Sequence, residues 1–325
     1  MLETKTECRS CGVAILVATA ERTGGFCMPC KRIIPTSLFD PASMRADVSK
    51  LIAEHPCLAP LAAQVLDETL VGLQLVGVWT DAPLLGGSRF RGVPDVSSDF
   101  VWPRFADEPL GFLAQINCAE VIRFDPDQTL PPSGLLSVFY PIDKTGQWSS
   151  GFVDKGAAAI IYTPSDQLAP ADVPTELHSS YVPPVYRIVF LPMTSLPGPK
   201  SVTFKRFDLS DEQDQAYGKV YESLPRYWKS GEPAHVLLGY PTSQRRDMQV
   251  QCQLAAEGRQ DDLRKKCRDP AVRGRATDWR LLFQIDCAGE LNDTWDTYGT
   301  KLYFWIRKQD LQRRRFDQIY AIVER

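Results

Sequence analysis

The chain has few of the residues that carry most acid–base and metal chemistry. Its 325 residues include three histidines, His55, His178 and His235. None stands in a metal or nucleophile motif, so all three are expected at the surface or at helix caps. There is no G-x-S-x-G elbow, phosphate loop or dinucleotide fingerprint, and the corresponding hydrolase, NTPase and Rossmann chemistries lack sequence support. Gly86-Gly87 reads as a turn beside a strand rather than a phosphate cradle. No apolar run approaches the ~20 residues of a membrane helix. No charged n-region is joined to a long apolar h-region near Met1. These absences lead us to expect a cytoplasmic protein with no membrane partner. The net charge of −3 excludes polyanion binding by the molecule as a whole.

What the chain does contain is apolar and aromatic residues, at 44% and 10%, enough for a substantial core. It also has 25 prolines, which favour short strands and loops over a helical bundle. Strands are expected at Leu73–Trp79, Leu110–Cys118, Leu135–Pro141, Ala158–Thr163, Val185–Leu191, Val202–Phe207, Arg280–Cys287, Leu302–Ile306 and Gln318–Val323. Helices are expected at about 44–55 with Ser43 as cap, at 58–70, at Asp211–Trp228 with Ser210 as cap, and over 246–268. The fold class expected is α+β, mainly antiparallel β. A small metal-bound unit at residues 1–34 precedes it, joined by a helical connector at 35–74.

That unit rests on Cys8-x2-Cys11 and Cys27-x2-Cys30. Each C-x-x-C turn aims two sulfurs at one point, and two such turns complete a tetrahedral thiolate cage. We expect a zinc ribbon with one structural Zn2+ held by Cys8, Cys11, Cys27 and Cys30, and a strand from Val13 to Thr19. A closed four-thiolate site keeps no open position for water, so the metal would not be catalytic. Two disulfides of a secreted protein are the alternative, and the missing signal argues against them. A redox dithiol would need only one C-x-x-C. Cys57, Cys118, Cys252, Cys267 and Cys287 are scattered through apolar patterns and read as reduced core residues.

Two stretches are near copies. Phe112-Leu-Ala-Gln-Ile-Asn-Cys-Ala-Glu120 parallels Leu281-Leu-Phe-Gln-Ile-Asp-Cys-Ala-Gly289. Each is followed by an aromatic strand and preceded by a Leu/Gly/Pro loop. We expect an internally duplicated domain over 75–325, with halves of about 75–208 and 232–325. Strand alternation puts Phe112, Ala114, Ile116 and Cys118 on one face, and likewise Leu281, Phe283, Ile285 and Cys287. Gln115, Asn117, Gln284 and Asp286 then occupy the opposite faces. They could form a ligand cleft between the halves, with Trp102 and Trp295 as walls, or they could brace loops or face water. The second reading is favoured, because antiparallel sheets commonly solvate one face.

Carboxylates for catalysis could come from Asp95, Asp99, Asp286, Asp293 and Asp296, but sequence alone pairs none of them. Basic residues gather at 259–275, including Arg264, Lys265, Lys266 and Arg268, and again at Arg313-Arg314-Arg315. They suit an acidic partner; interleaved acids make a solvated helix the simpler reading.

Further patterns resemble the YwqG-like family of bacterial domains. They are Gly86-Gly87 with Gly92-x-Pro94, Phe100-x-Trp102-Pro103, Pro109-Leu-x-Phe-Leu-Ala-Gln-Ile116 and Gly134-Leu-Leu-x-x-Phe-Tyr140. Leu238-Gly-Tyr-Pro241, Asp247-Met-Gln249, Trp279-x-Leu-Leu-x-Gln-Ile-Asp286 and Leu302-Tyr-Phe-Trp-Ile306 continue the resemblance, with Trp295 and Gly299. It covers about 75–325 and leaves the cysteine unit outside. It implies a duplicated β-rich fold with no known reaction. It also implies a setting near toxin loci, hence an inhibitor or immunity role with a toxin as partner. We therefore expect a binding protein that recognises another protein. The alternative is an enzyme with a cleft between the halves, and a nucleic-acid-binding accessory protein comes third.

Overall fold

A computed structural model of the chain describes residues 5–8, 14–23, 28, 40–141, 151–152, 156–180, 184–225, 233–242, 246–287 and 300–324. Near the N-terminus, β1 (Lys5–Glu7) and β2 (Ala14–Leu16) pair as an antiparallel hairpin. The strand expected to run on to Thr19 stops at Leu16, and Val17–Thr23 is helical. The expected ligand Cys8 follows β1 and is buried, whereas Cys11, Cys27 and Cys30 lie outside the described residues. The hairpin is not free-standing. Cys8 and Ile15 pack on Val189 and Leu191, with Val76 and Val78 alongside.

The connector is helical, as expected, but its cap differs. Asp40, not Ser43, accepts from the N–H groups of Ala42 and Ser43 at 3.0 and 3.2 Å, starting the helix Pro41–Ala53. Pro56–Leu61 is a 3-10 turn, and Ala62–Asp67 completes the connector. Val48, Ile52, Leu58 and Val65 pack against Phe204, Phe207 and Tyr217 in a core of their own.

The remaining strands are β3 (Leu70–Thr80), β4 (Arg89–Phe90), β5 (Asp95–Val96), β6 (Arg104–Phe105), β7 (Glu108–Pro109), β8 (Gly111–Asn117), β9 (Leu135–Tyr140), β10 (Gly151–Phe152), β11 (Ala159–Thr163), β12 (Ala169–Pro170), β13 (Val185–Ser195), β14 (His235–Leu237), β15 (Trp279–Asp286), β16 (Lys301–Arg307) and β17 (Tyr320–Glu324). Eleven of them form one sheet in the order β10-β17-β16-β15-β14-β3-β13-β4-β8-β9-β11. Its strand pairs are antiparallel, so the α+β, mainly antiparallel class stands.

The strand order has a centre. β3 and β13 pair along their whole lengths, Leu70 opposite Ser195 and Thr80 opposite Val185. β14, β15, β16, β17 and β10 extend on one side, and β4, β8, β9 and β11 on the other. The two flanks share irregularities. β8 is bulged between Phe112 and Ala114, and β15 between Leu281 and Phe283. After β4 the chain passes through positive φ at Arg91 and Gly92, and after β14 at Leu238 and Gly239. The Arg91 N–H donates to the Leu113 carbonyl at 2.9 Å and the Leu238 N–H to Leu282 at 3.1 Å. Glycine is required in both loops. A Cβ at Gly92 would lie 2.9 Å from a Val185 methyl, and one at Gly239 would lie 2.9 Å from Ser195 Oγ and 3.1 Å from the Gly72 backbone.

The bulges overturn the expected faces. An extra residue reverses the alternation beyond it. Phe112 therefore faces outward with Leu110 and Phe139, while Leu113 joins Ala114 and Ile116 in the main core. Likewise Leu281 packs outward with Trp279, Tyr303 and Trp305, and Leu282 turns inward. Both faces of the sheet are thus covered near these strands. A second correction concerns Val202–Phe207, which is not a strand. Ser201 Oγ accepts from the Phe204 N–H at 3.1 Å, and a turn of helix, Val202–Lys205, forms behind that cap. The expected helix over 246–268 is broken into Met248–Ala256, Gln260–Asp262 and Leu263–Lys266, followed by Pro270–Ala276. Asp211–Ser223 carries the expected Ser210 cap, here a full capping box with Gln213.

Candidate functional site

The polar residues of the repeated strands are committed to their own loops. Gln115 has no exposed surface. Its Oε1 accepts from the Asp95 N–H at 2.7 Å, and its Nε2 donates to the Gly87 carbonyl at 2.9 Å and to Asp95 Oδ2 at 3.1 Å. Gln284 is equally buried. Its Oε1 accepts from the Thr242 N–H at 3.0 Å, and its Nε2 donates to the Ala234 carbonyl at 2.6 Å and to Thr242 Oγ1 at 2.7 Å. The amide group of Asn117 donates to the Gly86 carbonyl at 2.8 Å and accepts from the Ala119 N–H at 2.9 Å. Asp286 accepts from the Ala234 N–H at 3.3 Å and pairs with Lys301 at 3.5 Å. Gln115 and Gln284 share no hydrogen-bond partner, and five strand steps separate β8 from β15 in the sheet order.

Trp102 plugs a loop. Its Nε1 donates to the Leu110 carbonyl at 2.8 Å, and its ring meets Phe139 edge-on at 5.6 Å. Trp295, Asp293 and Asp296 lie outside the described residues. His55 stands at the N-cap position of Pro56–Leu61, but its side chain makes no capping hydrogen bond. The His178 side chain lies outside the described set. His235 is a correction: it is buried, its Nδ1 accepts from the Asp286 N–H at 3.2 Å, and its ring lies 4.5 Å from that of Phe90.

Beneath the first loop sits an ion pair. Arg89 Nη1 lies 2.7 Å from Asp95 Oδ2, with side chains 6% and 3% exposed. Burial pushes the Asp95 carboxyl up, but Arg89, Gln115 and the Gly86 N–H together hold it below its ordinary value. Cys118, Cys252 and Cys287 are buried, as expected of core cysteines, whereas Cys57 and Cys267 are only half-buried. Burial, with Asp125 adding, pushes the Cys118 thiol up to about 12. It is not a thiolate nucleophile at neutral pH.

The basic cluster divides into two. Arg259 and Arg275 are spent on Glu257, at 3.2 and 2.7 Å, and Lys266 on Asp269 at 3.6 Å. Lys265 is exposed, and the Arg264 side chain lies outside the described set. Arg268 instead lines an open cleft of about 850 Å³, as do Arg246, Arg273 and Lys205. Two acids share the lining, Asp247 and Asp261.

Short helices place these groups. Asp247 caps Met248–Ala256 by accepting from the Val250 N–H at 3.3 Å. Lys205 ends the turn behind Ser201 and reaches Asp247 Oδ2 at 3.0 Å. Burial raises the Asp247 carboxyl above its ordinary value, partly offset by Lys205 and by the more distant Arg273. Arg273 stands on Pro270–Ala276, which Asp269 caps. Val202, Val250, Leu254, Val272 and Ala276 pack behind the cleft, with Leu263 and Cys267 at their edge.

Among the described residues, Arg246, Arg268 and Arg273 make no ion pair. Lys205 and Arg246 escaped the sequence reading because they join the cleft from outside the 259–275 cluster, Lys205 from a segment that looked like a strand. The capping pattern at Ser201 and Asp247 was the available signal.

The family model for the Domain of unknown function (DUF1963) matches residues 88–324. No curated protein matches the chain. Among the described residues no helix is long and apolar enough to cross a membrane.

Proposed function

The chain belongs to the DUF1963 family, and on that premise we propose that it is a binding protein which recognises an acidic segment of another protein. The carrying observation is the cleft lined by Lys205, Arg246, Arg268 and Arg273 against Asp247 and Asp261. Its cationic excess is local, on a chain whose net charge is −3, so recognition is confined to one face. An inhibitor or immunity role, with a toxin as partner, is the sharpest form of this reading. It draws support from the likeness to YwqG-like domains, the kinship we assign to the matched region. An enzyme with a site between the halves has less support, since Gln115, Gln284 and Asp95 are saturated by their own loops. The internal duplication belongs to the same reading, supported by the matched bulges and Gly-x-Pro loops.

The test is binding of a short Glu-rich peptide, followed by fluorescence anisotropy. Affinity should fall steeply with salt. Changing Arg246 and Arg268 together to Glu should weaken it roughly tenfold or more, about 1.4 kcal/mol. Equal affinity in the double variant would place the binding surface elsewhere.

We further propose one structural zinc at Cys8, Cys11, Cys27 and Cys30. Support comes from the two C-x-x-C spacings and from the burial of Cys8 beside the hairpin. Protein made under reducing conditions should carry about one zinc per chain. Cys27→Ser should lose the metal. It should also lower the melting temperature of the large domain, because Cys8 and Ile15 cover Val189 and Leu191. Metal analysis of the wild-type protein that found no zinc would end this proposal.

A further inference from the structure

We infer that the acidic group seated in the cleft is a phosphate monoester on the partner's chain, so that the partner is recognised when phosphorylated. This rests on the proposed reading of the cleft and narrows it. Three other cations in the same region are neutralised internally: Arg259 and Arg275 by Glu257, Lys266 by Asp269. Lys205 is held by Asp247, whose other oxygen caps a helix. Among the described residues, the guanidinium groups of Arg246, Arg268 and Arg273 make no ion pair, and they line one cleft. A guanidinium presents a planar fork of donors that fits two phosphate oxygens at once. Clustered forks suit a group with three acceptor oxygens better than a carboxylate with two.

The charge count agrees. Among the described residues, four cations and two acids line the cleft, an excess of two positive charges. A phosphomonoester carries about −1.5 to −2 at neutral pH, so one group matches the excess where a single carboxylate would not. The volume, about 850 Å³, accommodates the phosphorylated side chain with adjacent backbone.

The experiment compares short peptides identical except for a central Ser, Glu or phosphoserine, by anisotropy at physiological salt. The phosphopeptide is expected to bind at least roughly tenfold tighter than the Glu peptide. Inorganic phosphate should displace it. Arg268→Lys, which keeps the charge but removes the fork, should cut the phosphoserine preference while retaining binding of the Glu peptide. Lys265→Gln, outside the cleft, should change neither. If the Glu and phosphoserine peptides bind equally, the phosphate inference falls and the acidic-partner reading stands. If neither binds better than the Ser peptide, both fall. An unchanged preference in Arg268→Lys would also overturn the assignment of the forks to phosphate recognition.

Discussion

Replacing Asp95 with Ala should destabilise the protein by about 3–5 kcal/mol, the usual cost of stranding one member of a buried ion pair. The Arg89 guanidinium would keep its charge in a site where its side chain is 6% exposed. Its bonds to the Val93 and Gly87 carbonyls would remain, but they do not neutralise it. The Gly86 N–H, now 2.6 Å from Asp95 Oδ2, and the Gln115 amide would lose an acceptor as well. Chemical denaturation measures the effect. A loss of about 1 kcal/mol or less, typical of exposed pairs, would show that water reaches the site. The pH dependence has a defined sign. The folded carboxyl is held below its ordinary value of 3.8, so its stabilisation is present above that value and is lost as pH falls through the folded one. The Ala variant should lack this part of the acid transition.

The second large effect is expected at the two glutamines. Gln115→Ala leaves the Asp95 N–H and the Gly87 carbonyl without that partner, and Gln284→Ala does the same to the Thr242 N–H and the Ala234 carbonyl. A buried polar group left unsatisfied costs about 1–3 kcal/mol, so each variant should lose roughly 3 kcal/mol. The two losses should be similar and close to additive, because the two glutamines share no hydrogen-bond partner. Peptide binding to the helical cleft should persist below the lowered melting temperature. A variant that kept its stability but lost a ligand would instead restore the idea of a site between the halves.

Much of the sheet was legible because its strands are apolar runs punctuated by proline and glycine, and such runs fix where strands begin and end. Alternation could not fix which residue faces inward. One extra residue at Leu113 and another at Leu282 reverse the faces, and nothing in a single sequence marks a bulge. Val202–Phe207 has a strand's composition, yet one serine hydroxyl decided for a helical turn. The cleft was half legible. Arg268 and Arg273 stood in a visible cluster, but proximity in sequence also gathered Arg259 and Arg275, which are spent on Glu257. Lys205 and Arg246 come in only through tertiary packing.

The pairing of the central strands has a mechanical consequence. β3 and β13 share eleven facing residue pairs, but β4 joins β13 through two and β14 joins β3 through three. The hydrogen-bonded ladder is therefore widest at its middle and narrow at both joints, like a beam with a waist on either side. Load crossing a waist cannot travel mainly through backbone bonds. Packing between side chains carries the rest, including Phe90 on β4 and His235 on β14, whose rings lie 4.5 Å apart. The Arg89–Asp95–Gln115 group and His235 with Gln284 and Asp286 fasten the strands within each flank, so each flank is stiff in itself and hinges on the centre.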